Sequence, residues 1–308
     1  MNGSNGANGT ASQELKGIMV ALITPYTADK QEIDFAELDK HVNRMLDAGI
    51  HGLVPGGSTG EFTVLSTPER KQLIEATVKS AAGRAPVVAG IGELSTERAV
   101  DLAAHASKAG AAAVMVVPPF YDALSEEQLH EYLSEIHQAS NLPIVYYNIP
   151  SASGTNLSTE QIANLSKVGV KYMKDTSGNA PALTDLLFSK HDRITSFNGW
   201  DTLTFYGLAA GAKGSVWGAS NIIPELSVEL WETLAVQGDL KKARELWSKI
   251  WPICNLLEEG NYSGAVKTGM ELRGWSTGGL RKPFNRLSKE ARARLASHLE
   301  DAGVPMVQ

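Results

Sequence analysis

Cysteine is almost missing from this chain: Cys254 stands alone among 308 residues. No intrachain disulfide can form, which excludes a disulfide-stapled secreted scaffold and fits a reducing, cytoplasmic setting. An excess of basic charge is missing too, since 28 Lys plus Arg face 34 Asp plus Glu for a net charge of −6. Nucleic acid and anionic membrane surfaces are therefore not expected as partners. No run of 18 apolar residues occurs, and the leader MNGSNGANGTASQ carries neither the basic nor the apolar region of a secretory signal. Neither a phosphate-binding G-x-x-x-x-G-K-[ST] loop, nor G-x-G-x-x-G, nor a zinc-type H-E-x-x-H is found, so no nucleotide, cofactor or metal is expected. The histidines are scattered along helical segments and their connections. Cys254, in the apolar stretch LWSKIWPICNLL, reads as a buried structural thiol.

What is present is a sizeable core, at 43% hydrophobic residues, arranged in a repeating order. Short apolar runs, GIMVALIT, HGLVPGG, APVVAGIG, AAAVMVVPP, LPIVYYNIP, GVKYMKD, RITSFNG and KGSVWGAS, alternate with segments of helical period. The runs are nearly continuous in apolar character, as strands covered by helices on one face and packed core on the other should be. The helical segments span Asp34 to Ala48, Pro68 to Ala82, Thr96 to Ala109, Ser125 to Ala139, Ser158 to Lys167, Ala180 to Ser189 and Asp201 to Ala210. Hydroxyl caps followed by early acids open several of them, as in Ser66-Thr67-Pro68-Glu69 and Ser125-Glu126-Glu127. Glycine, 29 of 308 residues against a usual roughly 7%, supplies tight connections. Eight such strand-helix units describe an α/β TIM (β/α)8 barrel over residues 16–223, behind a flexible tail over 1–15. A C-terminal helical region over 224–308 is expected from Pro224 to Val236, Leu240 to Leu257, around Val266 to Leu272, and Ser288 to Leu299. Trp231, Trp247 and Trp251 read as core or interface residues there.

In a barrel, reactive groups belong at the C-terminal ends of the strands. That filter selects Ser58 and Thr59, Tyr121, Tyr147 and Lys174. A desolvated amine at Lys174 suits attack on a ketone, giving an iminium that accepts electrons when a neighbouring bond breaks. The plain alternative is a solvated lysine paired with Asp175 or Glu61. Tyr147 offers a phenol for the proton transfers, and strand parity means that only one of Tyr146 and Tyr147 faces the barrel interior. The turn Gly56 to Glu61, GGSTGE, joins flexible backbone to two hydroxyls and suits a carboxylate, or is simply a tight turn. Asp201 either contacts substrate hydroxyls or caps a helix.

The ordered set GGSTGE, PPFY, YYNIPSASG, KDTSG and FNGWD resembles the dihydrodipicolinate synthase and N-acetylneuraminate lyase family of pyruvate-dependent class I lyases, over about Lys16 to Leu299. The resemblance implies that Lys174 forms a Schiff base with a small 2-oxo acid and that Ser58 and Thr59 hold its carboxylate. It implies that Tyr147 handles protons, with Thr59 linking it to Tyr121 in a proton-transfer network, and that Tyr121 reaches across a tight interface in a homotetramer built as a dimer of dimers. Gly57, Thr176, Gly199 and Asp201 complete the candidate substrate-binding set. Three departures bear on substrate: Ala152 replaces an arginine expected in synthases, while Thr202 and Gly218 stand where lyases of sialic acid carry glutamate and serine. The expected reaction is aldol cleavage of a 2-keto-3-deoxy sugar acid to pyruvate and an aldehyde. Dehydration or deamination of a small 2-keto acid or pyrroline carboxylate is the first alternative, and a catalytically silent metabolite-binding barrel the second.

Overall fold

The computed structural model describes residues 14–307. The tail expected over 1–15 lies outside those residues through Gln13. Leu15 already belongs to the barrel: its side chain is buried and its N–H meets the Tyr172 hydroxyl at 3.4 Å.

Eight strands follow the expected runs: β1 (Gly17–Ala21), β2 (Gly52–Val54), β3 (Val88–Gly90), β4 (Ala113–Val116), β5 (Ile144–Asn148), β6 (Val170–Asp175), β7 (Thr195–Asn198) and β8 (Gly214–Trp217). All pair in parallel, in the order β2-β1-β8-β7-β6-β5-β4-β3. A bridge between Leu53 and Val87 joins the ends, closing the TIM barrel. Register brings Tyr147 beside Lys174 and Lys174 beside Phe197, at the C-terminal ends of their strands.

The helices are α1 (Phe35–Asp47), α2 (Thr67–Ala81), α3 (Thr96–Ala109), α4 (Glu126–Ser140), α5 (Pro150–Ser153), α6 (Thr159–Asn164), α7 (Ala180–Ser189), α8 (Thr204–Ala209), α9 (Pro224–Trp231), α10 (Leu240–Glu258), α11 (Tyr262–Leu272) and α12 (Lys289–Asp301). Their starts follow local chemistry. Ser66, Ser125 and Ser158 each form a reciprocal capping box with the acid or amide three residues on, which satisfies N–H groups that the first helical turn leaves open.

Alternation along the strands sorts the core into two shells. Met19, Val54, Met115, Tyr147, Tyr172 and Phe197 fill the barrel, whereas Val114, Val116, Tyr146 and Met173 pack outward beneath α3 and α4. Tyr147 is thus the inward member of its pair, as opposite parity requires. A further cluster joins β1 and β8 to the C-terminal helices through Trp217, Ile222, Ile250 and Cys254. Trp247 lies 6.3 Å from Trp217 and stacks on Phe205, while Trp251 remains 44% exposed.

Two C-terminal boundaries differ from periodicity. The segment reaching Val236 leaves α9 at Trp231 and ends in a π-helical turn, Glu232–Val236. The amphipathic stretch at Val266 starts earlier, at Tyr262, because Asn261 caps the N–H of Gly264. Ser263, Gly264 and Ala265 have little apolar signal, yet they are buried where the helix meets the barrel.

Candidate active site

A cavity of about 350 Å³ opens at the C-terminal ends of the strands, within the roughly 300–1,000 Å³ of small-molecule sites. Ser58, Thr59, Tyr147, Lys174, Thr176, Gly199 and Asp201 all line it, which brings together seven residues from four different strand ends. Gly57 does not line it; it is buried against Met115, whose Cε would sit 3.2 Å from a Cβ at that position. Tyr121 is also absent from the cavity of its own chain and is 87% exposed.

Lys174 is 6% exposed, and its Nζ lies 4.0 Å from the centre of the Tyr147 ring. No carboxylate among the described residues pairs with it. Both acids that might have done so are occupied elsewhere. Asp175 accepts from Asn148 Nδ2 at 2.8 Å and from the Ser177 N–H at 3.2 Å. Glu61 meets Lys267 Nζ at 2.6 Å. The simple ion-pair reading of Lys174 therefore fails on geometry. Space around the lysine is kept by Gly199: a Cβ there would stand 2.6 Å from Lys174 Cγ and 2.7 Å from Cε. Thr176 adds a buried hydroxyl with no protein partner, an atom able to bond a bound molecule.

The turn carrying Ser58 and Thr59 is fastened from outside the barrel strands. Thr24 Oγ1 donates to the Gly60 carbonyl at 2.7 Å, and Ser263 Oγ, from α11, donates to the Ser58 carbonyl at 3.2 Å. Glu61 closes the turn with a left-handed φ of 58°. Its carboxylate is fully enclosed with the Lys267 ammonium, which also donates to the carbonyls of Thr24 and Gly279 at 2.6 and 2.7 Å. Burial pushes the Lys267 ammonium down to about 8, against the opposing pull of Glu61.

Asp201 caps no helix. It opens a short 3-10 turn, Asp201–Leu203, and is 5% exposed, and its Oδ2 accepts the Tyr262 hydroxyl at 2.6 Å. Burial pushes its carboxyl up to about 7, the charge of Glu258 adds to the rise, and the Tyr262 hydroxyl and Lys174 oppose it. Glu258, at the end of α10, accepts from the Thr202 N–H and Thr202 Oγ1, each at 3.0 Å, and burial raises its carboxyl as well. Cys254 behind them is fully buried with its thiol pushed well up, in keeping with a structural role.

Sequence reasoning missed Ser151, Trp200, Glu258, Tyr262 and Ser263, which also line the cavity. Glu258, Tyr262 and Ser263 lie on α10 and α11 or between them, in a stretch where periodicity reports packing only. One signal was available for Tyr262. A Cβ on Gly218 would stand 2.6 Å from Tyr262 Cε1, so the glycine in place of an expected serine makes room for this ring.

A closed parallel barrel with a buried lysine and a ring of hydroxyls at its mouth defines an α/β-barrel enzyme site. A profile of the dihydrodipicolinate synthetase family matches residues 14–302, and the chain belongs to that family of aldolase-type lyases. It is 35% identical over 291 residues to an uncharacterized DapA-like lyase of Halobacterium salinarum, covering 94% of this chain and 95% of that one. A 4-hydroxy-tetrahydrodipicolinate synthase of Methanocaldococcus jannaschii is 34% identical over 292 residues, covering 94% and 99%. Among solved structures, a putative dihydrodipicolinate synthetase from Pseudomonas aeruginosa superimposes with a TM-score of 0.90 at 32% identity, covering 94% of this chain and 100% of that one.

Proposed function

We propose that this lyase cleaves a 2-keto-3-deoxy sugar acid to pyruvate and an aldehyde through an iminium on Lys174. The observation that carries the reading is a buried lysine, unpaired with any carboxylate of the described residues, set over Tyr147 in a cavity rich in hydroxyls. Lys174 Nζ adds to the C2 carbonyl, and the Tyr147 phenol gives its proton to the departing hydroxide, so that water leaves and the iminium stands beside a Tyr147 phenolate. The C4 hydroxyl proton passes to the Tyr147 oxygen while the C3–C4 bond breaks. Its electron pair forms the enamine, and C4 becomes the aldehyde carbon. Protonation at C3 and addition of water then release pyruvate and restore the amine. Ser58 and Thr59 hold the carboxylate, and Thr176 and Asp201 address the rest of the substrate. Synthase chemistry of the kind named for the relatives is disfavoured here, since Ala152 supplies no guanidinium and Lys174 is the lone cation lining the cavity among the described residues.

A second reading, dehydration, draws support from Asp201: a carboxyl at about 7 is suited to protonate a departing hydroxyl. The exposure of Tyr121 supports assembly with a second copy, which sedimentation of the purified protein tests; a monomer at working concentration counts against it.

The experiment is intact-protein mass spectrometry after incubation with pyruvate and borohydride. An adduct of about 72 Da, absent in Lys174→Ala, is expected. A folded wild type that takes up no label overturns the Schiff-base reading. Product analysis with 2-keto-3-deoxy sugar acids then separates cleavage, which yields pyruvate, from dehydration, which does not.

A further inference from the structure

The charges that line the cavity are unequally divided. Among the described lining residues there is one cation, Lys174, against two carboxyl groups, Asp201 and Glu258. Glu258 is also held in an unusual way for a residue at a helix end. Both of its oxygens are engaged by Thr202, through the N–H and the hydroxyl, and the Trp200 indole donates to the same hydroxyl at 3.0 Å. That grip fixes the carboxylate against the wall of the cavity, and each oxygen keeps a lone pair that can still accept a hydrogen bond. Beside it, the Tyr262 hydroxyl is committed to Asp201.

A 2-oxo acid joined to Lys174 places its own carboxylate near the iminium charge and the Ser58–Thr59 turn. A second carboxylate farther along the molecule would find no remaining cation, only the fixed Glu258 carboxylate beside the enclosed Asp201 carboxyl in a partly dry space, where the like charge of Glu258 repels it strongly. Hydroxyl groups in the same place would find acceptors.

We propose that Glu258 is the specificity residue of this cavity: fixed by Thr202, it accepts hydroxyls from the part of the substrate beyond the reacting carbons and rejects 2-oxo acids that bear a second carboxylate. The assignment rests on the Schiff-base reading of Lys174. It adds the substrate class that the site selects: a monocarboxylate with a neutral, hydroxylated tail.

The test compares borohydride labelling by 2-oxovalerate and 2-oxoglutarate, which have equal chain length and differ by one carboxylate, alongside 2-keto-3-deoxygluconate. Each variant is referred to its own labelling by pyruvate. In wild type, half-labelling by 2-oxoglutarate should need about tenfold or more the concentration needed for 2-oxovalerate. Glu258→Gln should shrink that ratio about tenfold, and Glu258→Arg should invert it. Thr202→Val, which frees one oxygen of Glu258 but keeps its charge, should leave 2-oxoglutarate disfavoured while weakening labelling by the sugar acid several-fold. An unchanged ratio in Glu258→Gln, with pyruvate still labelling the protein, overturns the role of Glu258 alone. Failure of pyruvate to label wild type overturns the Schiff-base reading, and this assignment with it.

Discussion

Replacing Asp201 by asparagine should make the protein more stable, and increasingly so as pH rises. The side chain is enclosed, and burial moves its carboxyl from 3.8 up to about 7. The sign follows from proton counting. Between those two values the native state still holds the proton while the unfolded chain has released it, so the unfolded state binds fewer protons and stability falls with rising pH. The stabilising contribution is complete below the unfolded value and lost as pH passes the folded one. The whole span is worth about 4 kcal/mol at 1.36 kcal/mol per unit, of which about 3 kcal/mol falls between pH 5 and pH 8. Asparagine cannot ionise, and its Oδ1 can still accept the Tyr262 hydroxyl that Asp201 now accepts. Paired urea titrations of wild type and Asp201→Asn should therefore diverge by about 3 kcal/mol from pH 5 to pH 8, with the variant the more stable at the alkaline end. Parallel pH curves for the two proteins would refute the raised carboxyl. If Asp201 contacts the substrate as proposed, the same variant loses activity where it gains stability, the exchange expected when a strained group is kept for function.

Lys267→Met leaves the enclosed Glu61 carboxylate without its partner and should cost about 3–5 kcal/mol in urea unfolding, with much of the loss recovered when Glu61→Gln is added. Gly199→Ala drives a methyl into Lys174; borohydride labelling by pyruvate should slow about tenfold or more, against a stability loss of about 1–3 kcal/mol. Gly218→Ser collides with the Tyr262 ring and should lower the thermal midpoint, whereas the further change Tyr262→Ala should relieve the clash; equal midpoints for the single and double variants would sink that explanation.

The barrel was readable from the sequence because its signals are local: eight apolar runs with hydroxyl caps between them need no knowledge of distant residues, and the strand-end rule then isolates Lys174 and Tyr147. Tyr147 rather than Tyr146 faces inward for the same local reason, the alternation of a strand. What escaped was long-range. Glu258 reads as one more acid at the end of an amphipathic helix, and only the folded chain reveals that it reaches Thr202, 56 positions away. Ser263 is equally silent until α11 brings it to the Ser58 carbonyl. Asp201 was ambiguous because a carboxylate after a strand suits a cap or a pocket equally, and the choice was made by Tyr262, itself out of reach of any local pattern. The second acid weighed as a partner for Lys174, Glu61, illustrates the same limit: its cation arrives from the far end of the chain.

The Lys267 ammonium also has a bearing on how the protein is made. It donates to the carbonyl of Thr24, 243 residues earlier, while neutralising the acid that closes the Ser58–Thr59 turn. A ribosome releases the N-terminal segment first, so Glu61 emerges long before the side chain that matches it. Until α11 has left the exit tunnel, that turn has an acid to enclose and no counter-charge with which to enclose it. The eight strands can be complete as a stretch of nascent chain while the mouth of the barrel is still unset, and the final shape of the cavity is among the last things synthesis provides.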